Sequence, residues 1–128
     1  MTTPLLIDPN DRPDEVWADP VRGRFRWRTL LSSDVTASDT FTAGIMSLEA
    51  GEHWAVHRHA EAELYFGLTG EADVEVDGKI YRLKPETLIY IPGNVFHGIP
   101  TTSASLRLFY TFASDSFDAI KYTFRDER

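Results

Sequence analysis

Two histidines, His57 and His59, are followed four residues later by Glu63. All three lie in the stretch Gly51-Glu52-His53-Trp54-Ala55-Val56-His57-Arg58-His59-Ala60-Glu61-Ala62-Glu63, which runs on to Gly70. Side chains alternate along an extended chain, so His57 and His59 are expected on one face of a strand. Neutral imidazole is the commonest transition-metal ligand, and a carboxylate adds a hard, anionic one. Three ligands on one short stretch need only one more from elsewhere. His97, in Pro92-Gly93-Asn94-Val95-Phe96-His97, is the candidate. Such a set around one divalent transition metal leaves a net positive centre with open positions for an anionic oxygen, such as a substrate carboxylate. Ligand type admits Fe, Mn, Ni, Co or Zn, and the affinity order alone does not choose among them.

Tyr65 follows Glu63 by two residues and is expected on the same side of the strand. A phenol beside a divalent cation has its anionic form favoured, and a phenolate is a competent general base. The alternative is a lining aromatic whose hydroxyl bonds to something inert. His53 shares strand parity with His57 and is expected at a pocket mouth or on the surface, within possible reach of substrate. Arg58 should face outward.

These residues need strands to position them, and the chain supplies them. Residues 1–22 are rich in Pro and Asp and read as an N-terminal extension with one helical turn in Asn10–Trp17, capped by Asp11 or Asn10. Residues 23–128 read as one β-domain. Phe25, Trp27 and Thr29 alternate with Arg24, Arg26 and Arg28, a half-buried pattern. Further strands are expected at Phe41–Leu48, Trp54–His59, Glu63–Leu68, Glu71–Val76, Lys79–Leu83, Thr87–Ile91, Phe96–Ile99, Leu106–Phe112 and Ala119–Phe124. Asp77-Gly78 between two of them signals a hairpin, because both residues tolerate positive φ. Short strands with closely spaced turns imply an all-β sandwich or barrel.

The ligand stretch resembles the first motif of the cupin superfamily: Gly, five residues, His-x-His, three or four residues, Glu, six residues, Gly. Gly51, His57, His59, Glu63 and Gly70 fill every position. In the second motif Pro92 and His97 match, while Glu86, Asn94 and Thr101 stand where Gly, Gly and Asn are usual. Asn94 can adopt the left-handed conformation that glycine supplies. The likeness spans roughly residues 40–112. It implies a double-stranded β-helix, or small jelly roll, with His57, His59, Glu63 and His97 on the metal. It also implies a homodimer, since N-terminal strands of such barrels often pair with a second copy.

Phe25-Arg26-Trp27-Arg28, Ala60-Glu61-Ala62-Glu63-Leu64-Tyr65, Tyr90-Ile91-Pro92-Gly93-Asn94-Val95-Phe96-His97 and Phe117-Asp118-Ala119-Ile120-Lys121-Tyr122 are similar to segments of the small cupin-type dimethylsulfoniopropionate lyases. That resemblance implies metal-assisted β-elimination of a small carboxylate, yielding dimethyl sulfide and acrylate, with Tyr65 as base and Tyr122 as a second site tyrosine. A cationic sulfonium is held well by aromatic rings where water is excluded. Trp27, Tyr122 and Tyr110 are the candidates. Parity counts against Phe66, opposite to Tyr65, and against Trp54, opposite to His57.

Three rivals share the same motif: an Fe(II) dioxygenase, a sugar or keto-acid isomerase, and a non-catalytic small-molecule-binding cupin. Length and composition narrow the partners. The chain has 128 residues, enough for one domain with a real core. It has no cysteine, which fits a reducing cytoplasm. No apolar run approaches a membrane span, and no basic-then-apolar leader opens the chain. The formal charge of −7, with no basic patch, argues against nucleic acid as a partner.

Overall fold

The arginine alternation from Arg24 onward does become a strand, Gly23–Leu31, which buries Phe25 and Thr29 and turns Arg24 to solvent. In this computed structural model, residues 3–125 are described. The first two residues of the expected extension and the last three of the expected domain lie outside the described residues. Among the described residues eleven strands follow one another: β1 Glu15–Asp19, β2 Gly23–Leu31, β3 Thr42–Leu48, β4 His53–Arg58, β5 Glu63–Thr69, β6 Ala72–Val76, β7 Lys79–Leu83, β8 Leu88–Ile91, β9 His97–Ile99, β10 Leu106–Phe112 and β11 Thr123–Phe124.

The sheet order is β7-β6-β9-β4-β2-β3-β10-β5-β8, with β1 on β2 and β11 on β4. The two ends of the path, β7 and β8, meet and nearly close the barrel. β10 shows why the chain folds this way. Leu106, Leu108, Tyr110 and Phe112 are buried, while Arg107 between them faces out. One end of the interior is aliphatic, built from Leu48, Val74, Leu83, Leu106 and Leu108, none more than 1% exposed. The other end carries the histidines. Asp77 and Gly78 take φ of 52° and 77° in the β6–β7 hairpin, as expected of that dipeptide. Asn94 takes φ 65°, and so does Glu86 at 63°, where the cupin motif more often has glycine.

Three expectations need correction. The N-terminal extension is not free of strand: β1 pairs with β2 from Glu15↔Trp27 to Asp19↔Gly23, so a boundary at residue 22 cuts through a hairpin. Its pattern was masked because β1 turns Val16 outward and Glu15, Trp17 and Asp19 inward. The helical turn is a short 3-10 turn at Pro9–Asp11, capped by Asp8, whose side chain accepts from the Asn10 amide, rather than by Asn10 or Asp11. Near the C-terminus, Ser116 caps a second 3-10 turn at Phe117–Ala119, leaving only Thr123–Phe124 as strand in place of Ala119–Phe124.

Candidate metal centre

His57 and His97 are register partners across β4 and β9, and His59 lies just past the end of β4. Glu63 opens β5. All four are buried, none more than 4% exposed. One nitrogen from each of His57, His59 and His97 falls within a cluster 4.8 Å across. Glu63 Oε1 sits 3.2 Å from Nε2 of both His59 and His97.

The backbone decides which way these rings face. Nδ1 of His57 lies 2.7 Å from the Ala55 carbonyl oxygen, Nδ1 of His59 2.9 Å from that of Glu61, and Nδ1 of His97 3.0 Å from that of Val95. A carbonyl only accepts, so each Nδ1 carries the proton and donates. The Nε2 atoms therefore face the cluster, where a carboxylate oxygen also waits, and each offers a lone pair to a metal whenever its ring is neutral. Converging lone pairs and one carboxylate make a site that a divalent cation fits, with the tautomers already fixed by outer hydrogen bonds.

Burial holds His57 well below the usual imidazole range, and the neighbouring His97 adds to the effect. Burial also opposes protonation of His59, but the hydrogen bond and charge of Glu63 outweigh it and raise its pKa. His59 is therefore where protons compete with metal first. Metal affinity is expected to rise with pH through and above 6.5, the ordinary imidazole value. Metal titrations at a series of pH values check this, and a flat profile would remove His59 from the ligand set.

Above the cluster lies a cavity of about 150 Å³ lined mainly by aromatic and aliphatic side chains. Trp27, Tyr110 and Tyr122 line it together with His57 and Glu63, so these candidates do come together. Tyr122 stands edge-on to His57 at 5.3 Å and to His59 at 5.7 Å. Tyr65 is fully buried, its ring 6.3 Å from that of His97, and its hydroxyl has no hydrogen-bond partner among the described residues. The Tyr110 hydroxyl is buried too, but the Thr29 side chain lies close enough to favour its ionised form slightly. Burial and then the charge of Glu63 raise the pKa of all three phenols in the metal-free protein.

Tyr65, Tyr110, Gly44 and Thr29 form one cross-strand row through β5, β10, β3 and β2. Gly44 is what lets Tyr110 lie flat in that row: a β-carbon there would stand 2.4 Å from the phenol oxygen and 2.5 Å from the Arg28 carbonyl oxygen.

His53 does not join this group. Its Nε2 lies 3.4 Å from the Val21 carbonyl oxygen, beside an outer groove with Gly23, Gly51 and Glu52. Arg58 does face outward, over the Phe96 ring. Trp54, set aside on parity, in fact packs 4.2 Å from His57 and lines the cavity. A register shift in the β4–β9 pairing between Trp54 and His57 accounts for it, because one extra residue reverses parity. Trp17, Phe25, Phe112 and Phe117 also line the cavity and were not anticipated. For Phe112, alternation along β10 with Tyr110 was the available signal.

The cupin domain model matches residues 44–112, which include all four candidate ligands. The chain is 37% identical over 121 residues to dimethylsulfoniopropionate lyase DddW of Ruegeria pomeroyi, spanning 94% of this chain and 80% of that protein. It is 27% identical to a 5-nitrosalicylic acid 1,2-dioxygenase of a Bradyrhizobium species, over 82% of this chain and 61% of that protein. Among solved structures, the DMSP lyase DddQ of Ruegeria pomeroyi superposes with a TM-score of 0.73 at 22% identity, covering 96% of this chain and 62% of that one. With the motif, the barrel and the matched segment in agreement, this chain belongs to the cupin family.

Proposed function

We propose that this protein is a metal-dependent lyase that cleaves dimethylsulfoniopropionate to dimethyl sulfide and acrylate by β-elimination. One observation carries the reading. An unpartnered phenol, Tyr65, is buried near a three-histidine, one-carboxylate cluster in a chain 37% identical to such a lyase. His57, His59, Glu63 and His97 would hold one divalent ion, drawn from Fe, Mn, Ni, Co or Zn. When bound, that ion would polarise the substrate carboxylate, acidify the neighbouring C–H and favour the phenolate of Tyr65, which burial and Glu63 otherwise oppose.

The chain's own residues supply the rest. Tyr65 as phenolate takes the α-proton. The electron pair of that C–H bond becomes the second bond of the alkene, and the C–S pair leaves with dimethyl sulfide. Trp27, Tyr110 and Tyr122 shield the reacting atoms from water and face the sulfonium with rings rather than a carboxylate. His53 is too far toward the outer surface to belong to this set. Headspace detection of dimethyl sulfide from metal-loaded protein tests the reaction, and no release with any of the five metals would overturn it.

A second reading, oxygen-dependent cleavage at the same centre, is favoured by the likeness to the nitrosalicylate dioxygenase. Substrate-dependent oxygen uptake separates the two, since elimination consumes none.

The protein works on its small carboxylate as a homodimer in the cytoplasm. Absence of cysteine supports a reducing compartment, and no helix among the described residues is long and apolar enough to cross a membrane. Ile80, Tyr81, Leu88 and Tyr90 on β7 and β8 are about half exposed or more, an apolar surface that supports self-association. Sedimentation at twice the chain mass of 14.5 kDa is expected, and the chain mass itself would refute the dimer.

A further inference from the structure

The segment matching the cupin model, residues 44–112, holds every candidate metal ligand, yet much of the cavity wall comes from outside it. Phe117 and Tyr122 arrive from the C-terminal side, and Trp17, Phe25 and Trp27 from the N-terminal side. Trp17 is the most telling of these. It sits on β1, directly opposite Phe25, and the two rings stack at 6.3 Å with 13° between their planes. Its ring meets Trp54 edge-on at 5.3 Å, and Trp54 in turn packs 4.2 Å from His57. One ring therefore separates Trp17 from a candidate metal ligand. A three-carbon acid anchored at the histidine cluster would extend its far end toward this wall.

β1 is fastened in place. Thr29 Oγ1 donates to Glu15 Oε2 at 3.2 Å, and Arg12 Nε donates to the Thr29 carbonyl at 2.8 Å. The Arg28 guanidinium reaches the Pro9 carbonyl at 3.1 Å and Asp14 at 3.6 Å. Glu63, itself in the metal cluster, supplies the one carboxylate in the cavity lining. A positive group at the far end of a bound acid would find aromatic rings lining the wall there. Indole is the strongest ring partner for a cation, above phenol and benzene.

We infer that Trp17 is a specificity-determining residue: together with Trp54 it reads the cationic end of a zwitterionic acid, so selectivity resides in the N-terminal strand. The inference rests on the reading of the site as one for a small zwitterionic carboxylate, and it goes further by placing selectivity on a strand outside the family's matched segment. The Trp17 indole N–H is buried and has no acceptor among the described residues. That leaves one competing role, donation to an oxygen at the far end of a dianionic acid, which the test separates.

The experiment is calorimetric binding to the metal-loaded full chain, with metal content measured for every variant as the control for folding. Three probes differ only at the far end: trimethylated β-alanine (cationic), its tert-butyl carbon isostere (neutral), and succinate (anionic). Wild type is expected to bind the cationic probe about tenfold more tightly than the neutral one, the size of a desolvated cation–π contact. Trp17→Phe should narrow that preference and Trp17→Leu should narrow it further, both with metal content unchanged. Should Trp17→Leu lose its metal, the graded loss in Trp17→Phe decides.

An unchanged preference in the variants overturns the inference, as do equal binding of the two probes by wild type or failure of all three to bind. Tightest binding of succinate, weakened in Trp17→Phe, would assign the N–H role instead. Wild type that prefers the cationic probe yet releases no dimethyl sulfide would retain the inference and refute the proposed reaction.

Discussion

Tyr65→Phe is expected to lower turnover by about 10²–10⁴-fold, the usual contribution of a positioned general base, while leaving metal content and KM nearly unchanged. The substitution removes one oxygen atom and no ring volume, so a fully buried side chain in the barrel interior keeps its packing. The deleted hydroxyl has no partner among the described residues. No protein acceptor or donor is left unmet, and the variant should be at least as stable as the parent. A general loss of structure therefore cannot mimic the loss of chemistry. Initial rates of dimethyl sulfide release at saturating substrate, with metal quantified in the same samples, give the answer. A variant with full turnover would return Tyr65 to the role of a lining aromatic. Tyr110→Phe is the useful comparison, because its hydroxyl is also buried but lies against Thr29, out along the row through Gly44. It should cost less.

How much of this site is legible in the chain follows from how local each signal is. His57, His59, Glu63 and Tyr65 announce themselves by spacing, because period-two alternation is a property of the strand itself. His97 does not. Its place opposite His57 depends on β4–β9 pairing across 40 residues, and only the second motif's Pro92 and His97 hinted at it. Trp54 was misjudged because alternation assumes an unbroken ladder, and β4 shifts register between Trp54 and His57. The apolar run Trp54-Ala55-Val56 already departs from alternation and is, in retrospect, the trace of that irregularity.

Trp17 lay hidden for a different reason. β1 turns Val16 to solvent and two acidic residues inward, the reverse of a half-buried strand. Its inward face is tolerable because Glu15 receives the Thr29 hydroxyl and Asp19 accepts from the Val21 and Arg22 amides. Charge and hydropathy patterns read strands that bury apolar faces; they miss strands held by polar contacts at a sheet margin. The C-terminal segment differs for a local reason: the Ser116 side chain accepts from the Asp118 amide and starts a 3-10 turn where alternation alone suggests strand.

Stripping the metal is expected to destabilise the protein as well as silence it. Without a cation, the interior crowds three imidazoles and a carboxylate together, with His57 kept neutral by burial and the Nε2 atoms of His59 and His97 both against Glu63 Oε1. A bound divalent ion satisfies all of them at once, and it does so only in the folded state, where the ligands from β4, β5 and β9 converge. Stabilisation by a ligand that binds only the native state is about 4 kcal/mol at a thousandfold excess over its Kd. For a domain of this size that corresponds to a rise in Tm of roughly 10 °C or more.

His97→Ala separates that linkage from simple unfolding. It removes the ligand on the short strand β9, and with it one of the two imidazole contacts of Glu63, while leaving His57, His59 and Glu63 in place. Its Tm should fall toward that of the chelated wild type and should respond little to added metal or chelator. Its elimination activity should drop by roughly three orders of magnitude or more, the loss of several kcal/mol of Lewis-acid stabilisation. Differential scanning calorimetry with and without chelator, run on both proteins, reads the stability half. Equal melting of wild type in both conditions would mean that no ion binds the cluster tightly, and the elimination would then have to proceed from Tyr65 and the aromatic pocket alone. Burial and Glu63 oppose the phenolate of Tyr65 in the metal-free protein, so that route lacks its base at neutral pH.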